Sequence, residues 1–160
     1  MAIRRATRED IPRLKECLVK YSQISPIEEL RLYSLSADDS EIHTHANQTL
    51  TMLLLSGIIF VDERDSEFIG TIMGMKSKHF FNARYTMMNL VCFWVEPEYR
   101  KGTSAFRLFS EYKNYCEELM TQNKINHYTM TNNNYTSSNL SYERYGMNKL
   151  ETTWVSEGVK

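Results

Sequence analysis

The chain has 160 residues, the size of one domain, and 42% of them are hydrophobic, enough for a core. Its formal net charge is −1, from 19 Lys and Arg against 20 Asp and Glu, which gives no global electrostatic case for nucleic acid or an anionic membrane. The three cysteines, Cys17, Cys92 and Cys116, are an odd number with no CxxC pair, so they read as small core residues in a reducing compartment, not as disulfides or a zinc site.

The N-terminal segment MAIRRATRED is charged and has no apolar h-region, unlike a signal peptide. Ser56 and Gly57 interrupt the apolar run Met52 to Val61, which is too short to span a bilayer. A soluble cytoplasmic protein is therefore expected. Ala2 to Ala6 has the pattern of a short edge strand. Thr7 can cap a helix, with Asp10 three residues on, and Ile11, Leu14, Leu18 and Tyr21 recur at helical spacing. Ser25-Pro26 breaks that helix, and Ile27 to Leu35 suits a second, shorter one.

Asp39 or Ser40 can cap a longer helix from Glu41 to Leu55, with Ile42, Ala46, Thr49, Leu50, Leu53 and Leu54 on one stripe and Gly57 at its end. Ile58 to Glu63 and Phe68 to Met75 then form an antiparallel hairpin around Arg64-Asp65-Ser66-Glu67. Lys76 to Arg84 is a loop or the start of the next strand. Asn89 to Val95 is an apolar strand that turns at Glu96 to Tyr99 into a basic, small-residue loop, Arg100 to Ala105. Ala105, Leu108, Phe109, Tyr112, Cys116 and Leu119 mark the helix after it. Ile125 to Thr131 is a strand, Asn132-Asn133-Asn134 a turn, Thr136 to Tyr145 a short helix closed by Gly146, and Met147 to Ser156 a last strand. This order is that of one α/β domain with a mixed, mostly antiparallel sheet and a crossover helix.

A strand that stops at a helix N-terminus built from small residues is an anion site, because the first amides of the helix have no partner inside it and the macrodipole adds partial positive charge. Arg100 and Lys101 add full charges. The residues Val95-Glu96-Pro97-Glu98-Tyr99-Arg100-Lys101-Gly102-Thr103-Ser104-Ala105, with Leu108, resemble the acetyl-CoA-binding motif of the GCN5-related N-acetyltransferases (GNAT). Downstream, Ser138, Tyr142, Gly146 and Met147 resemble that family's Tyr-x-x-x-Gly-Phe ending, with Met in place of Phe. Thr103 stands where the family has its first motif glycine, with Gly102 one position earlier.

The resemblance implies one acyltransferase-like domain over residues 1–160, with a GNAT fold whose central strands splay apart. It implies acetyl-CoA as acyl donor, no metal, and transfer of acetyl to a primary amine by direct attack. In that scheme the amides of Lys101, Gly102, Thr103, Ser104 and Ala105 grip the pyrophosphate and Arg100 adds charge. Trp94 and Val95 offer backbone groups to the pantetheine arm, Asn134 and Ser138 bond the coenzyme, and Tyr142 protonates the departing thiolate. Tyr145, Tyr135 and Tyr128 compete for that role without its spacing to Gly146. Glu41, Glu63, Glu67, His79 or a water chain could take the amine proton, since Asn89 to Val95 holds no acid. The resemblance puts Tyr33, Tyr85 and Phe80 beside an acceptor pocket. It also suggests a homodimer. The amine could be small, a protein N-terminus or lysine, or an aminoacyl group. The alternative is a catalytically silent coenzyme-A-binding or protein-interaction module on the same fold. Cys92 lacks a sequence-evident His and Asp and reads as core, not nucleophile.

Overall fold

The computed structural model describes residues 2–25, 31, 40–131 and 140–150. Among these, five strands form one sheet in the order β1-β2-β3-β4-β5. They are β1 (Ala2–Arg5), β2 (Ile58–Arg64), β3 (Glu67–His79), β4 (Asn82–Val95) and β5 (His127–Tyr128). The first four pair antiparallel, and β5 joins β4 in parallel. Helices α1 (Ile11–Ser22) and α2 (Ser40–Ser56) cover one face, and α3 (Ser104–Thr121) covers the other.

Strand alternation sorts the core into two layers. Ile58, Phe60 and Ile72 pack with Leu108, Tyr112 and Cys116 of α3. Ile59, Val61 and Met73 pack with Leu14 and Cys17 of α1 and Leu50 and Leu53 of α2. Ala46 is buried as the α2 stripe requires, but Ile42 lies outside it, exposed near the helix start. Tyr112 lies so close over β3 that a Cβ on Gly74 would fall 2.6 Å from its ring. Glycine is therefore required there by space, not by conformation.

The β2–β3 turn is as expected. Arg64 and Glu67 face each other, and Asp65 and Ser66 between them are both left-handed, with φ of +49° and +68°. That two-residue geometry matches the twist of the flanking strands. At its other end β3 runs further than the apolar pattern indicated. Lys76 to His79 are strand because they go on pairing with β4 beyond Gly74, the last β3 residue opposite β2: Lys76 with Met88, Ser77 with Met87, Lys78 with Thr86 and His79 with Asn82, a register shift leaving Ala83 to Tyr85 as extra residues of β4. Residues 75–89 thus project past β2 as a two-stranded hairpin arm, which β5 flanks only at its base, at Met87 and Met88.

Two more expectations need correction. The strand proposed for Ile125 to Thr131 is reduced to His127–Tyr128, because its ladder with β4 stops after the Met88–Tyr128 rung. The short helix before Gly146 is, in its described part, a single 3-10 turn, Tyr142–Tyr145, closed by Gly146 at φ +77°. Met147 to Leu150 carry no strand. The second helix apart from Arg31, Tyr33, Asp39 as a cap, the Asn132-Asn133-Asn134 turn, Tyr135, Ser138 and the rest of the last strand lie outside the described residues.

Candidate active site

The site is organised by an irregularity in β4. Opposite Met73 and Gly74 the register passes from Cys92 to Leu90, so Val91 is an extra residue, a bulge. A bulge reverses the alternation of everything after it. Before it, Met88 and Leu90 pack toward α3; after it, Cys92 and Trp94 turn to the α1 and α2 face, and Phe93 and Val95 return to the α3 side.

The backbone follows the same logic. Asn126 donates its N–H to the Thr86 carbonyl at 2.7 Å, and Thr129 donates to Met88 at 2.9 Å. The next rung is not a backbone bond: the Leu90 N–H reaches the Thr129 hydroxyl oxygen at 3.4 Å. From there β4 and β5 share no ladder. Glu96 donates to Ile69 of β3, so alternation turns the Trp94 peptide groups toward β3 and those of Val95 toward the open edge. An open edge of unpaired peptide groups beside a central strand is what an extended, amide-bearing ligand can complete. Of the pair expected to serve the pantetheine arm, Val95 turns its N–H to that edge, its carbonyl there already accepting from Arg100, and Trp94 does not.

At the end of β4 the chain makes a 3-10 turn, Pro97–Tyr99, and enters α3. Gly102 donates to the Tyr99 carbonyl at 3.1 Å, and Arg107 donates to Thr103 at 2.9 Å. Between them, the amides of Thr103, Ser104, Ala105 and Phe106 have no acceptor among the described residues. They form the cradle, with Lys101 exposed beside them. Thr103 sits in ordinary right-handed geometry, φ −92° and ψ −2°, so the missing motif glycine is not needed for conformation. Its side chain is exposed.

The side chains differ from a simple phosphate clamp. Ser104 is fully buried, and its hydroxyl oxygen accepts from Arg64 Nη2 at 2.6 Å. It therefore offers the cradle its amide only. Arg100 turns back: its Nε donates to the Val95 carbonyl at 2.9 Å, and its guanidinium carbon lies 4.7 Å from the Trp94 ring centre. Beneath the α3 N-terminus Asp62 is fully buried, 3.8 Å from Arg64 and 3.5 Å from Arg107.

Tyr142 is carried to α3 by the 3-10 turn and packs on Phe109, with ring centres 5.5 Å apart. Of its competitors, Tyr135 lies outside the described residues and the other two are placed otherwise. Tyr145 packs on Phe109 and Phe106, and Tyr128 on Tyr112. Among the suggested bases, Glu63 holds Arg4 at 2.6 Å, Glu67 accepts from the Tyr99 hydroxyl at 2.8 Å, and Glu41 is exposed at the α2 start. His79 belongs to the β3–β4 arm, against Tyr85. Burial, with His79 nearby, holds the His127 imidazole below its ordinary range.

Cys92 is buried against Cys17, as a core residue should be. Their contact, together with burial, holds the Cys17 thiol well above its ordinary range. Burial pushes Cys116 up to about 12. Among the described residues no group of His, Cys, Asp or Glu could hold a metal. On the α1 side of the cradle loop a cavity of about 230 Å³ lies between Lys20, Cys17 and Glu96, and Lys20 pairs with Glu96 at 2.6 Å. No helix among the described residues is long and apolar enough to cross a membrane.

No family model matches this chain, and no curated protein matches its sequence. Solved structures do. A predicted acetyltransferase with acetyl-CoA from Clostridium acetobutylicum superposes with a TM-score of 0.65 at 14% identity, covering 97% of this chain and 94% of that one. A GNAT family acetyltransferase from Staphylococcus aureus gives 0.61 at 14% identity, covering 97% and 96%. The chain has the GNAT acetyltransferase fold. The ribosomal-protein-alanine N-acetyltransferase of Brucella melitensis shares the GNAT arrangement at TM-score 0.63 and 11% identity, covering 98% and 99%. Sequence reasoning found the loop after β4 and the helix that follows it. It missed the Val91 bulge and Thr129, which mark where the strands part; a bulge on an apolar strand leaves no compositional trace.

Proposed function

We propose that the protein is an acetyl-CoA-dependent N-acetyltransferase, with residues 1–160 forming one catalytic unit. The observation that carries this is a coincidence of place: the β4–β5 ladder stops beside Leu90, and the same strand then delivers four helix amides, at Thr103 to Phe106, that have no acceptor among the described residues. An extended thiol arm with a diphosphate at one end needs both features in that order. The solved structure of a predicted acetyltransferase with acetyl-CoA, which shares this fold, supports the choice of donor.

In this reading the diphosphate sits on the amides of Lys101 and Thr103 to Phe106, and the arm lies along the open edge of Phe93 and Val95. Gly102 spends its amide on Tyr99 and shapes the turn. Arg100 holds the end of β4 open. Asn134 and Ser138 contribute further bonds to the coenzyme. A neutral amine attacks the thioester carbon directly; the C–S bond breaks, and Tyr142 gives its proton to the departing thiolate while the nitrogen loses one to base or water. Holding amine and thioester together, out of bulk water, supplies much of the rate. The protein works in the cytoplasm and pairs with a second copy of itself.

One observation favours the second reading, a silent coenzyme-A-binding module. β4 carries no acid from Asn89 to Val95, and Glu63 and Glu67 are already engaged. Titration calorimetry with acetyl-CoA, followed by thiol release over a panel of amines, separates the two. Binding with acceptor-dependent release supports the enzyme. Binding without release over the panel supports the module, and absence of binding removes both.

A further inference from the structure

The β3–β4 arm carries what a monomer has no internal use for. Phe80 and Phe81 at its tip are 90% and 85% exposed, side by side at 5.3 Å. Isolated exposed apolar residues are common, but an adjacent aromatic pair on a projecting turn marks an interaction site. The rings do not stop there. Phe81 lies 5.1 Å from His79, His79 5.8 Å from Tyr85, and Tyr85 5.3 Å from His127. The His127 ring nitrogen meets the Tyr85 hydroxyl at 3.2 Å. His127 opens β5, two residues before Thr129, where the strands part. One continuous aromatic stripe thus runs from a free tip to the mouth of the proposed acyl site.

Its charge is one-sided. From Phe68 to Val95 there is no Asp or Glu, while Lys76, Lys78 and Arg84 are all present and exposed on the arm. The lysines stand on the opposite face from Met75 and His79, but the arm is only two strands wide. Their field acts on a chain along the arm's edge or either face, screened over a Debye length of about 8 Å.

We propose that this arm is the docking track for the acceptor, and that the acceptor is a polypeptide segment with apolar and acidic side chains and a free amine at its end. This rests on the acetyl-transfer reading for the amine, not for the docking. A polycationic small amine meets three cations and no arm carboxylate to hold it. A small amine of any charge, bound at the fork, also leaves the tip unused, because the eight steps from Phe81 to Asn89 span about 26 Å of extended chain. An extended peptide of about eight residues covers that distance, stacking apolar side chains on the rings and setting carboxylates beside the cations.

The test is fluorescence anisotropy with a labelled ten-residue peptide bearing Glu, Leu and Phe behind a free N-terminus, against a control in which Lys replaces each Glu. The acidic peptide should bind wild type at least tenfold more tightly than the control. Phe80→Ser/Phe81→Ser and, separately, Arg84→Glu should each weaken it at least fivefold while leaving the acetyl-CoA dissociation constant unchanged. Equal binding of the two peptides overturns the proposal without any variant. So does full affinity in both variants, tighter capture of phosphatidylserine vesicles or single-stranded RNA by the same tip, or a wild-type dimer that Phe80→Ser/Phe81→Ser converts to monomer. Peptide binding needs no turnover, so its loss stays distinct from failure of the acetyl-CoA site.

Discussion

Arg100 spends its Nε–H on the carbonyl of Val95, 2.9 Å away, in the strand that ends five residues before it. The motif arginine is thereby a strut for the end of β4 before it is a charge. Its guanidinium also stacks over Trp94, whose ring meets Tyr21 of α1 edge-on at 6.4 Å. Planarity, not charge alone, is what this arrangement uses. Arg100→Lys should therefore weaken acetyl-CoA binding about tenfold, close to the loss in Arg100→Gln. Calorimetry on both variants checks this; a lysine variant as tight as wild type would make Arg100 a plain counter-charge.

Tyr142 packs on Phe109 through its ring and carries the only proposed acid group through its hydroxyl. Removing the oxygen leaves the ring contact intact. Tyr142→Phe should lower kcat by about 10²-fold, the scale of general acid catalysis, with acetyl-CoA affinity changed less than twofold. Steady-state kinetics beside calorimetry measures the split. A variant at full speed would transfer the role to another group or to water.

Arg64 joins the buried Asp62 to the first turn of α3 through its bond to Ser104. Arg64→Ala would leave Asp62 with Arg107 as its remaining cation and release the start of the helix that carries the cradle. Breaking a buried pair from one side is costly, so a loss of about 3 kcal/mol is expected in urea unfolding at neutral pH. A change under about 1 kcal/mol would show the site well hydrated.

Arg4 grips Asp10 through two bonds of 2.8 Å, and Asp10 also accepts the Thr7 N–H at 2.7 Å. The Arg4 bonds, more than the Thr7 amide, hold the Asp10 carboxyl below its ordinary 3.8 despite burial. A lowered carboxyl stabilises the fold above its unfolded value, and that gain is lost as pH falls through the folded one. Asp10→Asn should cost about 2 kcal/mol at pH 7, and the gap should narrow below about pH 4. Urea midpoints at pH 7 and pH 3 test it; an equal gap at both would point to packing instead.

The elements on the α3 side were readable from the sequence because their periodicity is set by burial. Leu108, Tyr112 and Cys116 sit inward at helical spacing, and Asp65-Ser66 suits a tight turn. The β3–β4 arm was not readable. Lys76 and Lys78 pair with Met88 and Thr86 of β4 without an apolar alternation to announce them, and Arg84 lies in a register shift that no local pattern marks. The helix start with unpartnered amides was legible where a local motif fixes it, as at Thr103 to Ala105. Features that long-range register decides were not, as with Val91, Thr129 and the turning of Trp94 away from the open edge. Arg64 and Ser104 are 40 residues apart in sequence, and no local pattern joins them.

The most direct measurement is a backbone ¹H–¹⁵N titration of the protein with coenzyme A. Saturating shifts should appear at the amides of Lys101 and Thr103 to Phe106, and along β4 at Phe93 and Val95, with one dissociation constant. Shifts confined to other parts of the chain, or unmoved amides at Thr103 to Phe106 under saturating coenzyme, would contradict the account.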